Sequence, residues 1–247
     1  MIRIQDFFQD YNVLKTPYEV DESFMKGVLH TAKAHVRATG DGVYILDYSK
    51  RQVVYVSPNI AKWCNLTPPH GKNTIGLDWY LDNISKEDLQ MLVEINQVAF
   101  EFWKDMSDEE CEDYVVSYDF KFGDAMVNQR YTPILVKDGS IILAMCEVSP
   151  SQSKVSGNIV IKSSKNEYIH IYSREEKKWK KENKTTLTQK EKQIIRSTVK
   201  GLSSAEIANI SGNSEQTIKT QKRNLCHKLG VTTMQEAIRL AINNGLL

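Results

Sequence analysis

Lys219, Thr220, Lys222 and Arg223 fall within little more than one helical turn, and Lys228 continues the basic run. Cations interleaved with a small hydroxyl suit phosphate oxygens and the base edges of a major groove. Ser214 and Thr217 add hydroxyls at the head of the same segment, and no Asp or Glu occurs from Gln216 to Gln235. An ordinary solvated helix face mixes both signs. No other chemistry finds a comparable constellation. Cys64, Cys111, Cys146 and Cys226 have no short paired spacing and the five histidines are scattered. Neither a zinc ribbon, a CxxC pair nor a nucleophile with its base can therefore be drawn, and no enzyme is expected. His35 reads as a structural histidine on an apolar helix face. Cys64, followed by Asn65-Leu66, lacks a flavin-thiol context, and His70, after Pro68-Pro69, falls in a loop unsuited to haem ligation. With no haem, flavin-thiol or metal signature, any cofactor is unknown.

The net charge of +1 hides an asymmetry. Residues 1–173 hold 17 Lys/Arg against 24 Asp/Glu, a net −7, whereas residues 174–247 hold 15 against 7, a net +8. A basic unit joined to a larger acidic one is the pattern of a nucleic-acid reader with a sensing or assembly domain. At about 150 residues per domain, 247 residues suggest two units. Hydrophobic content of 41% with 26% charge is a folded composition. The longest apolar run, Ile141 to Cys146, is too short to span a membrane, and Arg3 and Asp6 break any signal-peptide core. A cytoplasmic location without membrane attachment is the expectation.

The basic segment needs elements to position it, and residues 185–247 supply their signals. Thr188-x-x-Glu191 opens a helix with Ile194, Ile195 and Val199, stopped by Gly201; Ser203-x-x-Glu206 opens a second with Ile207, Ala208 and Ile210. After the turn at Ser211-Gly212-Asn213, Ser214 caps a third helix with Ile218, Leu225 and Leu229 on its buried stripe and Gly230 beyond its end. Thr233-x-x-Glu236 opens a fourth, carrying Ala237, Ile238, Leu240 and Ala241. The second and third form a helix-turn-helix within an all-α four-helix domain.

These residues carry a resemblance. The motifs Leu187-Thr188-x-x-Glu191, Gly201-x-Ser203-x-x-Glu206-Ile207-Ala208, Ser214-x-x-Thr217-Ile218-Lys219, Asn224-Leu225-x-x-Lys228-Leu229-Gly230-Val231 and Glu236-Ala237 resemble, in order, the LuxR-type helix-turn-helix of bacterial transcription regulators. The resemblance implies double-stranded DNA as partner and a recognition helix from about Ser214 to Leu229. Lys219, Thr220 and Arg223 then fall at contact positions, with Lys222 and Lys228 as further phosphate candidates. It also implies a homodimer formed through the fourth helix, for which Ala237, Leu240 and Ala241 are candidates, and RNA polymerase as a downstream partner.

Upstream, Asp21 caps an amphipathic helix with Phe24, Met25, Val28, Leu29, Ala32, His35 and Val36 on one face, a second candidate dimer surface; a shorter helix with Ile4, Phe7, Phe8, Tyr11 and Leu14 precedes it. Strands over Val43–Asp47 and Gln52–Val56, helices after Ser57 and Ser85, and strands over Tyr114–Phe122, Tyr131–Val136 and Ile141–Val148 give the order β-β-α-α-β-β-β. Trp63, Trp79, Trp103, Tyr114 and Tyr118 are either ordinary core or the lining of an aromatic pocket.

That order, with Tyr44-Ile45-Leu46-Asp47, Val54 to Asn59, Ile75-Gly76, Lys86-Glu87-Asp88 and the Asp138-Gly139 hairpin, resembles a PAS sensor domain. The resemblance implies a five-stranded antiparallel sheet with helices over one face, often enclosing a small-molecule ligand. The chain thus reads as α+β, with flanking and dimerising helices over 1–40, a PAS-like domain over 41–150, a hairpin and linker over 151–184 and the DNA-binding domain over 185–247. Within the third segment, Asn158–Lys162 and Tyr168–Tyr172 alternate as a hairpin, and Trp179 argues that it packs rather than dangles.

Overall fold

Asp21 starts the first α-helix among the described residues, its carboxylate accepting from the Phe24 amide at 3.0 Å, and Gly40 ends it in the left-handed conformation at φ 78°. This is α1 (Glu22–Thr39) of a computed structural model that describes residues 6–7, 18–63, 81–151, 153–243 and 246–247. The N-terminal short helix, the Ile75-Gly76 motif, Cys64, His70, Trp79 and the side chain of Trp63 lie outside the described residues, apart from Phe7. The chain divides into two units, residues 1–182 and 183–247.

In the first unit, β1 (Gly42–Asp47), β2 (Gln52–Val56), α2 (Asn59–Trp63), α3 (Lys86–Trp103) and α4 (Asp108–Glu112) precede β3 (Tyr114–Phe122), β4 (Ala125–Lys137) and β5 (Ser140–Pro150). Then follow β6 (Gly157–Ser163), β7 (Tyr168–Ser173) and β8 (Lys178–Asn183). All eight strands form one sheet in the order β2-β1-β5-β4-β3-β6-β7-β8. All six residues of β1 are buried, which requires cover on both faces. On one face Met91, Leu92, Ile95, Phe100 and Trp103 of α3 share a core with Tyr118, Phe120 and Tyr131. On the other, Val28, Leu29, Ala32 and Val36 of α1 pack on Val43, Ile45 and Met145.

Two expectations change here. The sheet has eight strands rather than five, and it carries helices on both faces rather than one. The broad apolar face of α1 is spent largely on the sheet, although Phe24 stays 42% exposed. Trp103 and Tyr118 are core residues, and Tyr114 packs half-buried against it.

The hairpin of β6 and β7 joins the sheet through β3, with Val116 opposite Ile161. A polar hub anchors the segment that enters it. The carboxylate of buried Asp119 accepts from Asn128, from Ser151 Oγ at 2.7 Å and from Asn158 Nδ2 at 2.7 Å. Trp179 of β8 packs its ring 5.7 Å from Phe102 of α3 and 5.0 Å from Tyr172. Glu94 of α3 pairs with Arg174 at 3.2 Å and Lys177 at 2.6 Å.

The second unit contains α5 (Gln189–Val199), α6 (Ser204–Ser211), α7 (Glu215–Lys228) and α8 (Met234–Asn243). Its core joins Ile194 and Ile195 of α5, Leu225, Cys226 and Leu229 at the end of α7, and Ala237 and Ala241 of α8. Among the described residues no helix is long and apolar enough to cross a membrane.

Candidate nucleic-acid interface

The four helices begin where short polar side chains can satisfy their free amides. Thr188 and Glu191 form a reciprocal capping box at α5, as do Ser203 and Glu206 at α6. At α8 the Glu236 carboxylate accepts from the Thr232 and Thr233 amides, both at 3.0 Å, while Thr233 accepts from the Glu236 amide. Gly212, left-handed at φ 65°, closes α6 and turns the chain toward α7. Asn213 steadies that turn by donating through Nδ2 to the Ser211 carbonyl at 3.0 Å.

Ser214 caps α7, accepting from the Thr217 amide at 3.1 Å and sharing a 2.8 Å hydroxyl contact with Thr217. Both hydroxyls are exposed, but their first role is local. Ile218 packs on Ile207 and Ala208 of α6, while Leu225, Cys226 and Leu229 enter the other core. This buried row fixes the roll of α7. Lys219 and Arg223 point outward and are exposed, with Thr220 half-buried beside them.

Lys222 falls elsewhere. It lies four residues after Ile218 and three before Leu225, in the buried row itself, and is half-buried. A lysine at such a position follows the apolar row with its stem and keeps its charged head in water. Lys228 is held by an intramolecular partner, its Nζ lying 2.8 Å from Glu191 Oε2. Burial pushes the Glu191 carboxyl up, but the Lys228 ammonium and the Thr188 contacts outweigh it and hold the group below its ordinary value. Lys219 pairs with Glu215 one turn earlier at 2.8 Å, an exposed contact of small worth that a phosphate can displace. Gln216, Asn224 and His227 are exposed along the outward side and were missed as candidates. Helical spacing from Arg223 would have found Gln216 and His227, seven residues before it and four after.

The proposed dimer residues also shift. Ala237 and Ala241 are 0% exposed inside the domain's own core, and Leu240 is half-buried against it. Small residues on an amphipathic helix allow close packing within the unit, and Ala237 and Ala241 are spent there. The outer face of α8 instead shows Gln235, Arg239 and Ile242, the last 56% exposed.

Residues 185–241 match the family described as bacterial regulatory proteins, luxR family. The C-terminal unit is a luxR-family helix-turn-helix domain. Two curated relatives share this region: the transcriptional regulatory protein YdfI of Bacillus subtilis (strain 168), 38% identical over 68 residues, and MctR of Rhizobium johnstonii, 38% identical over 66. The alignments cover 28% and 27% of this chain and 32% and 31% of those proteins, so the chain spans about a third of the relatives it matches. Among solved structures, the phage VqmA–DPO complex is similar at 14% identity and a TM-score of 0.33, covering 92% of this chain and 89% of that one. A Vibrio cholerae VqmA dimer follows at 15% and 0.28, covering 87% of each. Similarity this low carries no argument about the first unit, whereas the luxR-family domain rests on its own motifs and caps.

Among the described residues, a small cavity lies in the core of the first unit. It measures about 30 Å³ and is lined by Tyr44, Asn96, Tyr118, Gln129, Tyr131 and Cys146 with their apolar neighbours. Gln129 donates to the Tyr118 hydroxyl, and the Tyr131 hydroxyl meets that of Tyr48 at 3.3 Å. Burial pushes the Cys146 thiol up to about 12, so it is an inert thiol rather than a nucleophile.

Proposed function

We propose that this chain is a bacterial one-component transcription regulator that binds duplex DNA as a homodimer through its luxR-family domain. The observation that carries the reading is the outward side of α7, where Lys219, Thr220 and Arg223 stand clear of the core row in a segment without acidic residues after Glu215. In this reading α7 lies in the major groove with Arg223 and Lys219 reaching base edges or phosphates. Thr217 and Ser214 border the groove at the helix start, and Lys222 and Lys228 are secondary phosphate contacts. The second copy is met through the face of α8 bearing Arg239 and Ile242, and RNA polymerase is the downstream partner.

The first unit is a PAS-like sensing or assembly module. Its contiguous strands β1–β5, arranged as β2-β1-β5-β4-β3 with α3 across one face, support that reading. Among the described residues its core cavity measures about 30 Å³, room for a water.

A salt titration of the full chain's affinity for duplex DNA tests the main reading. Neutralising several phosphates releases counterions, so log affinity should fall steeply and linearly with log salt. An affinity that stays flat across the range removes DNA as the partner.

A further inference from the structure

His35, at the end of α1, and Glu147, on β5, are 112 residues apart in sequence, yet Nε2 of His35 lies 2.9 Å from Oε2 of Glu147. The left-handed turn at Gly40 brings the chain back on itself and sets Asp41 beside the pair. One imidazole nitrogen and one oxygen from each carboxylate all lie within 4.8 Å of one another. We propose that His35, Asp41 and Glu147 bind a divalent transition-metal ion of the zinc, nickel or cobalt class.

The donor set is mixed nitrogen and oxygen, which suits these ions better than calcium or magnesium. Bonds of about 2.0–2.2 Å require the three atoms to close on a common centre. A second observation points to a cation. One oxygen of Asp41 and one of Glu147 lie within 4.8 Å of each other as well as of the imidazole nitrogen. Two carboxylates this close repel each other and favour a cation between them.

Arg130 meets part of that charge. It faces Glu147 directly across the β4–β5 ladder and bonds its other oxygen, Oε1, while standing 4.0 Å from Asp41. The guanidinium thus orients Glu147 from behind and leaves Oε2 turned toward His35, as an outer-shell partner of a metal ligand does. With His35 neutral, as a metal ligand must be, Arg130 alone faces the two carboxylates, and an ion would meet the negative charge that remains. The side chains are partly open, Glu147 at 13% and His35 at 32% exposure, so an ion can enter and keep a water as a further ligand. Such an ion would staple the last turn of α1 to the sheet.

The test uses the untagged full chain, stripped with chelator and titrated with Zn²⁺ and Ni²⁺ by calorimetry and with Co²⁺ by visible absorption. One ion per chain is expected, together with a rise in melting temperature. His35→Gln and Asp41→Asn should each weaken binding by on the order of 10–100-fold or more, whereas His30→Ala, on the exposed side of α1, should not change it. If His35→Gln fails to fold, Asp41→Asn, which keeps size and polarity, decides together with the Co²⁺ spectrum. No binding of any of the three ions, or binding that both ligand variants leave unchanged, overturns the proposal; in the first case the cluster is an ion-pair network of His35 and Arg130 with Asp41 and Glu147.

Discussion

Arg223 and Lys228 sit on the same helix and carry the same charge, but their surroundings differ. Arg223 projects from the outward side, whereas Lys228 is paired with Glu191 of α5. Arg223→Ala should cost about 1–3 kcal/mol in DNA affinity and relax sequence preference. Lys228→Ala should weaken DNA binding less than Arg223→Ala does and lower the domain's stability by up to about 1 kcal/mol, the worth of a partly exposed pair. Binding isotherms on matched and mismatched duplexes, beside urea melts, separate the two; equal losses of affinity would mean that Lys228 leaves Glu191 for a phosphate. Gly42 presents a different constraint. A Cβ there would overlap the side chain of Ile60, a buried residue of α2. Gly42→Ala should therefore destabilise by about 1–3 kcal/mol, and an unchanged urea midpoint would show that Ile60 can turn away.

At the scale of the element, capping makes the second unit sensitive to acid. The hydroxyl of Thr232 and the amides of Thr233 and Thr232 hold the Glu236 carboxyl down at about 2. An unfolded glutamate titrates near ~4.3. Between these values the unfolded chain binds more protons, so this contribution to stability is complete above the unfolded value and lost as pH falls toward 2. Glu236→Gln should flatten the pH dependence of the helical signal of the full chain between about 4.5 and 2. Superimposable acid titrations of the two proteins would show that the cap does not govern α8.

At the scale of the molecule, β8 ends at Asn183 and Thr188 already caps α5, so only a short segment joins the units. The state of α3 can reach that segment through Phe102 on Trp179 and through Glu94 on Arg174 and Lys177. A signal transmitted this way must prefer one of two arrangements. Trp179→Ala, or Gly-Ser in place of residues 174–184, should leave DNA affinity intact while abolishing regulation in a reporter assay. Full regulation with either replacement would make the segment a tether and move control to dimerisation.

Helix starts and stops in the second unit were readable from sequence because each depends on residues within four positions. Thr188 with Glu191, Ser203 with Glu206, Ser214 and Thr233 with Glu236 are all local hydrogen-bonding devices. The same locality made the basic segment conspicuous. Which of its cations face outward was not local, since the row of Ile218, Leu225 and Leu229 had to find its partners on other helices before Lys222 could be placed in it. Ala237 and Ala241 looked available for the same reason, and their burial became visible only with α5 and α7 packed against them. In the first unit, alternation revealed strands but not their neighbours. That β6–β8 extend the sheet, that α1 covers its second face and that His35 meets Asp41 and Glu147 follow from strand register and side-chain packing between distant segments, which no short window of sequence contains.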